Sequence, residues 1–129
     1  SYGGAAYNHR DAKITDVTAG LHARALEKFV EDTTFTKGVS PIVSYGGTPG
    51  TYFASDLSSV TESRIGVFVF GDLFQANLGV CNVDEIAVSV LTRVIGVQDH
   101  NDRIIVDAGA LALSHDRGTA GQSTDYGYG

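Results

Sequence analysis

Apolar residues at Ile14, Val17, Leu21, Ala25 and Phe29 recur every three or four positions, and Leu26 and Val30 widen the stripe. That period predicts an amphipathic helix over about residues 14–32. Asp11 or Thr15 is its expected N-cap. Gly20 inside it costs about 1 kcal/mol relative to Ala, so the helix must draw on tertiary packing. Thr33-Thr34 and Lys37-Gly38 are expected to end it. The run Pro41-Ile42-Val43-Ser44 is short and apolar, and it predicts a buried strand entering a Gly-Gly turn. Thr48 then stands at a natural N-cap position and Pro49 at a first helical position, so a second helix is predicted from there.

The pattern changes after Val60. Ile65 and Val67-Phe68-Val69-Phe70 predict an apolar strand closed by Gly71-Asp72. The stretch from Ile86 to Val97 is long and β-branched, which favours strand over helix. His100-Asn101-Asp102 is an expected turn, and Ile104-Ile105-Val106 is expected to return as the second strand of a hairpin. Residues 1–12 and 119–129 show no period and are expected to be loop. The fold class is therefore α/β plus β. The expected division is into residues 1–58 and 59–129, the second part being antiparallel β.

Composition alters this picture little. With 129 residues the chain fits one ordinary domain or a piece of a larger one. Apolar residues make up 43% and charged residues 19%, which is globular rather than disordered. Much of the glycine, 16 residues in all, lies near the two ends and around residue 47, as turn markers do. A net charge of −6 with nine scattered Lys and Arg argues against a nucleic-acid partner. No stretch approaches the roughly 20 apolar residues that span a bilayer, so no membrane partner is expected. The single Cys81 rules out a disulfide within the chain and suits a reducing, cytoplasmic setting. No secretory pattern opens the sequence, which is expected to be a piece of a longer protein.

The chemistry concentrates in Ser44-Tyr45-Gly46-Gly47-Thr48-Pro49. Two glycines let backbone N–H groups converge on an anion without an intervening Cβ. Thr48 adds a hydroxyl, and a helix starting there aims its positive end at the same point. The spacing matches neither a P-loop nor a dinucleotide-binding fingerprint. A plain Gly-Gly turn between strand and helix explains the spacing equally well.

Other candidates are weaker. His9, His22, His100 and His115 fall at no metal-ligand spacing and read as solvated side chains. Asp107 ends an expected buried strand and reads as a structural carboxylate. Cys81 has no cationic neighbour in sequence. Lys13, Lys28 and Lys37 lie on a polar helix face or in polar loops, unlike a Schiff-base lysine. No catalytic residue and no metal ligand emerges within the chain.

Taken together, the segments resemble the D-threonine aldolase and D-serine dehydratase family of fold-type III pyridoxal-phosphate enzymes. Ser44 to Pro49 is similar to that family's phosphate-binding element. Thr61-Glu62-Ser63-Arg64-Ile65-Gly66, with Val67 to Asp72, is similar to its strand leading out of the barrel. Asp84 to Val94 is similar to the following β-domain strand. The run from Ile105 to Asp116 is similar to its Val-Asp-Ala-Gly element. The resemblance covers about residues 40–118, while residues 14–32 match by position alone.

It implies the end of an alanine-racemase-like (β/α) barrel, residues 1–58, leading into an antiparallel β-domain, residues 59–129, both incomplete. It implies pyridoxal phosphate held by Gly46, Gly47 and Thr48 with Ser44 and Tyr45 beside it, and assigns Tyr2 a place at the site's edge. The whole enzyme would be a lyase, an aldolase or dehydratase acting on D-threonine, D-serine or a related β-hydroxy D-amino acid. It would work as a homodimer with a divalent metal. The family's Schiff-base lysine lies upstream of these segments and its metal ligands downstream, so the piece alone is expected to be inactive. The alternative is a non-enzymatic phosphate-binding or scaffold α/β module.

Overall fold

The computed structural model describes residues 7, 11–32 and 42–127. Thr33-Thr34, Lys37-Gly38, Pro41, Tyr2 and His9 lie outside them. Helix α1 spans Ala12–Asp32. Asp11 caps it: its Oδ1 accepts from Lys13 N–H at 2.9 Å, and its carbonyl accepts from Thr15 N–H at 3.0 Å. Thr15, the other expected cap, is instead buried inside the first turns.

The face of α1 that is covered differs from the expected one. Thr15, Ala19 and Ala23 are buried, whereas Ile14, Val17, Leu21 and Phe29 are exposed. Small residues four apart make a flat strip, and α1 uses it to approach helix α2, Thr48–Phe53. One polar clamp reinforces the contact: Asp16 Oδ1 accepts from Ser55 N–H at 2.6 Å. Of the large apolar stripe, Ile14, Val17 and Leu21 face outward, and Leu26 is half-buried.

Strand β1, Ser44–Gly46, precedes α2, and strand β2, Glu62–Arg64, follows it. The two pair in parallel with Ser44 opposite Glu62 and Gly46 opposite Arg64. Parallel neighbours need a crossover, and α2 supplies it. Val43 extends the pairing, its carbonyl accepting from Thr61 N–H at 3.0 Å and its N–H donating to Thr61 Oγ1 at 2.8 Å. This ladder runs past residue 58.

The expected strand at Val67–Phe70 is a single 3₁₀ turn over Val67–Val69. Gly71 N–H and Phe70 N–H both return to Val67 carbonyl, and Gly71 adopts φ 67°. A short apolar run bounded by glycines reads alike as strand or turn, and local closure wins here. Helix α3, Leu73–Asn77, follows, with Asp72 as its cap through Gln75 N–H at 2.7 Å. Gly79 at φ 78° ends that turn.

The long expected strand from Ile86 is also shorter. Only β3, Val94–Gln98, is strand, paired antiparallel with β4, Arg103–Val106. The register slips between Val94 and Gly96, a bulge that bends the ribbon. The hairpin itself is as expected, its turn closed by Asp102 at φ 52°, a conformation Asp tolerates. Residues 86–93 join no ladder among the described residues. Asp107 terminates β4 as a structural carboxylate, accepting from Thr92 Oγ1 and Arg93 N–H, both at 2.9 Å. It is exposed, as is all of β4, contrary to the buried strand expected there.

The last described segment ties back to α3. Asn77 Nδ2 donates to Thr124 carbonyl at 2.7 Å, Arg117 pairs with Asp125, and buried Thr119 accepts from Tyr126 N–H at 2.9 Å.

Four carboxylates sit below their ordinary values because donors stabilise the charged form. Ser55 does this for Asp16, Ser58 for Asp56, Arg93 N–H and Thr92 for Asp107, and Arg117 with Gly127 N–H for Asp125. A depressed folded value contributes stability above the unfolded carboxylate range, about pH 4, which is lost as pH falls through the folded values. The melting temperature should therefore decline on acidification below about pH 4. Asp107→Asn should blunt that decline, as a melting series from pH 6 to 2 would read out.

Candidate functional site

Strand alternation sorts the turn's approach. Tyr45 points to the α1 side, and Ser44 and Gly46 point to the opposite side. Tyr45 is 1% exposed, its ring edge-on to His22 with centroids 5.5 Å apart. His22 is therefore packed against the strand rather than simply solvated. Burial pushes the Tyr45 phenol above its ordinary value, and the nearby Tyr7 adds to the rise.

On the other side Ser44 Oγ donates to Glu62 Oε1 at 2.6 Å and accepts from Arg64 Nε at 2.8 Å. The Arg64 guanidinium crosses above Gly46, where an added Cβ would meet Nη2 at 3.2 Å. Gly46 thus clears a path for a cation beside the turn. Gly47 sits at φ 140°, ψ 118°, which L side chains rarely adopt.

Gly47, not Thr48, is the N-cap of α2, and no side chain caps the helix. The shift of one residue has a chemical effect. Thr48 falls in the first helical turn, where its hydroxyl cannot serve the helix's own amides. Its Oγ1 is buried without a hydrogen-bond partner, and so is Thr51 Oγ1 three residues on. Three residues is one helical face. Thr48 N–H donates to the Tyr7 hydroxyl oxygen at 3.3 Å.

Backbone donors at a helix start and two unused hydroxyls suit a compact oxyanion such as a phosphate group. Orphaned buried hydroxyls are costly unless something bonds them, which is the observation that a phosphate would satisfy. Of the five expected site residues, Gly46, Gly47 and Thr48 make the turn and the start of α2. Ser44 is held by Glu62 and Arg64, and Tyr45 is buried beneath.

Residue-pattern reasoning missed Tyr7, Arg64 and Thr51. The three-residue offset from Thr48 to Thr51 on one helix was a readable signal. Arg64 becomes visible only through the parallel register, and nothing local marks Tyr7, 41 residues from its partner.

The other candidates stay apart from the turn. Lys13 and Lys28 are exposed on α1. Cys81 is half-buried beside Gly71. His115 Nε2 lies 2.9 Å from Ala110 carbonyl, within its own loop. No group of three His, Cys, Asp or Glu that could hold a metal occurs among the described residues. No helix among them is long and apolar enough to cross a membrane.

The serine dehydratase domain family model matches residues 87–128. The D-threo-3-hydroxyaspartate dehydratase of Delftia sp. (strain HT23) is 54% identical over 89 residues, which is 69% of this chain and 23% of that protein. Its solved structure superimposes on 99% of this chain and 34% of its own length, with a TM-score of 0.91 and 41% identity. A variant of that enzyme has also been solved in a metal-free form. The D-serine dehydratase of Dictyostelium discoideum is 38% identical over 80 residues, covering 59% of this chain and 20% of that protein. An alanine-racemase-like protein from Idiomarina loihiensis has a TM-score of 0.85 and 37% identity over 99% of this chain and 34% of its own. The chain spans a fifth to a third of the length of these relatives. It belongs to the D-serine dehydratase-like family of fold-type III proteins, of which it carries the end of an alanine-racemase-like barrel and the start of the β-domain.

Proposed function

We propose that the chain is part of a pyridoxal-phosphate-dependent lyase that removes water from small β-hydroxy D-amino acids. D-Serine and D-threo-3-hydroxyaspartate define the substrate class. The observation that carries the reading is the pair of buried, unpartnered hydroxyls of Thr48 and Thr51 beside the Gly46-Gly47 turn. Both named curated relatives are dehydratases, so dehydration is preferred to the aldol cleavage of D-threonine.

In this reading Gly46, Gly47 and Thr48 hold the cofactor phosphate, and Ser44 and Tyr45 brace them. Bound pyridoxal phosphate supplies an electron sink for bond cleavage at the substrate. The chain's own residues do the holding. Tyr45 fills the space under the turn and keeps water from it. Glu62 and Arg64 fix Ser44, and the backbone at Gly47 aims the first amides of α2. A divalent metal, a homodimeric assembly and a cytoplasmic setting belong to the whole protein in the same reading. So does a division of the chain at residues 58/59, with the β1–β2 ladder reaching across it.

The test uses the complete protein. It should bind pyridoxal phosphate and release ammonia from D-serine or D-threo-3-hydroxyaspartate. Thr48→Ala should weaken cofactor binding about ten-fold in an absorbance titration, the worth of one hydrogen bond to a charged group. If the complete protein binds no pyridoxal phosphate, or Thr48→Ala leaves its affinity unchanged, the scaffold alternative replaces this reading.

A further inference from the structure

We propose that Cys81 is a site of oxidation by hydrogen peroxide, and that the buried amide oxygen of Gln75 holds the sulfenic acid that forms. The inference does not depend on which anion the turn before α2 holds.

Cys81 is half-buried, and it lines a cavity of about 140 Å³ together with Gln75. Tyr52 of α2 and Phe68, Gly71 and Val80 complete the wall. Local geometry brings the two residues to one place. The Gln75 carbonyl accepts from Val80 N–H at 3.0 Å, so the chain after α3 folds back and sets the next residue, Cys81, beside the helix. Gly71 leaves the sulfur uncovered. A Cβ there would stand 3.5 Å from Cys81 Sγ, and at φ 67° a side chain is disfavoured in any case.

Gln75 is 2% exposed, and its Oε1 is buried with no hydrogen-bond partner among the described residues. Its backbone is already committed, the N–H to Asp72 Oδ1 at 2.7 Å and the carbonyl to Val80. A buried acceptor in that state is costly until a donor reaches it. A thiol is a weak donor. The O–H of a sulfenic acid is a stronger one, carried one bond further into the cavity. The step balances with peroxide alone. The Cys81 thiolate attacks one peroxide oxygen, and an S–O bond forms as the O–O bond breaks. The departing hydroxide takes the proton that the thiol gave up and leaves as water. Sulfur loses two electrons and the peroxide gains them. The cavity admits a few water-sized molecules but not a thiol-bearing peptide, so the sulfenic acid is not consumed as a mixed disulfide.

The test treats the complete protein with hydrogen peroxide, traps sulfenic acid with dimedone and reads the peptide containing residue 81 by mass spectrometry. The unaltered protein should carry the adduct at Cys81. Gln75→Met keeps the length of the side chain and removes the acceptor. Its adduct should fall about five-fold, the worth of one hydrogen bond, while the sulfinic acid rises. Cumene hydroperoxide, too bulky for the cavity, should leave Cys81 unmodified. An unmodified Cys81 after hydrogen peroxide overturns the proposal. An equal yield of adduct in Gln75→Met also overturns it, since Gln75 would then only pack. Equal oxidation by cumene hydroperoxide overturns it too, because the reaction would then take place at the outer surface. The comparison of the two peroxides needs no variant, so it decides the matter even where Gln75→Met fails to fold.

Discussion

Gly50→Ala should destabilise the protein by about 3 kcal/mol, the upper end of what overpacking a core costs. Gly50 faces the Tyr45 ring. A Cβ there would overlap the Tyr45 hydroxyl and lie 3.1 Å from Cζ and 3.3 Å from Cε1. The obstacle is a rigid phenol, so the side chain cannot bend out of the way. It cannot swing aside either, because His22 stands edge-on to it and its strand is fixed in register against β2. Either α2 lifts from β1 or the ring leaves its site, and both spoil the cradle at the start of α2. Urea unfolding of the complete protein gives the number. Tyr45→Phe combined with Gly50→Ala should recover part of the loss, a non-additivity expected of residues in contact. A cost below about 0.5 kcal/mol, typical of surface changes, would show that ring and helix do not meet as described.

Gly47→Val should weaken pyridoxal phosphate binding by about 100-fold or more, corresponding to two hydrogen bonds to a charged group. At φ 140° and ψ 118° a β-branched residue is strained by about 1–3 kcal/mol. The backbone relaxes by turning φ negative, and that rotation swings the Gly47 and Thr48 amides off their common target. Titration of the cofactor-free variant with pyridoxal phosphate measures the loss. Retention of near-normal affinity would mean that the amides around residue 47 take no part in holding it.

The sequence announced some of this and concealed the rest for physical reasons. Turn chemistry is local, so Gly46-Gly47-Thr48-Pro49 and the Asp99–Asn101 turn of the hairpin were legible. So was the span of α1, because its period is carried by large side chains. Its buried face was not legible, since hydropathy weighs Ile14 and Leu21 above Thr15, Ala19 and Ala23. Close approach of two helices selects for smallness, which no apolar scale rewards. The runs at Val67–Val69 and Ile86 to Arg93 misled in the same way. β-Branched residues fit a pleated surface, but a strand exists only where a partner offers its amides. The site's flanks, Arg64 and Tyr7, depend on pairing and contacts across many residues and had no local signature. The resemblance to a known family supplied what periodicity could not, an expected chemical identity for the anion.

The β3–β4 hairpin carries one more implication. Its contacts are local in sequence, so it can close on the microsecond scale, well before the parallel ladder between β1 and β2. Once closed, it shows Val94, Ile95, Val97, Ile104 and Ile105 to solvent, with Leu91 98% exposed just ahead of it. Among the described residues it is a two-stranded ribbon, whose outer edges offer amides and carbonyls to a further strand. A folding intermediate of this kind is sticky before it is useful. The order in which its cover arrives, relative to a second copy of the same ribbon, decides between native assembly and edge-to-edge aggregation. Yield on refolding should therefore fall as protein concentration rises.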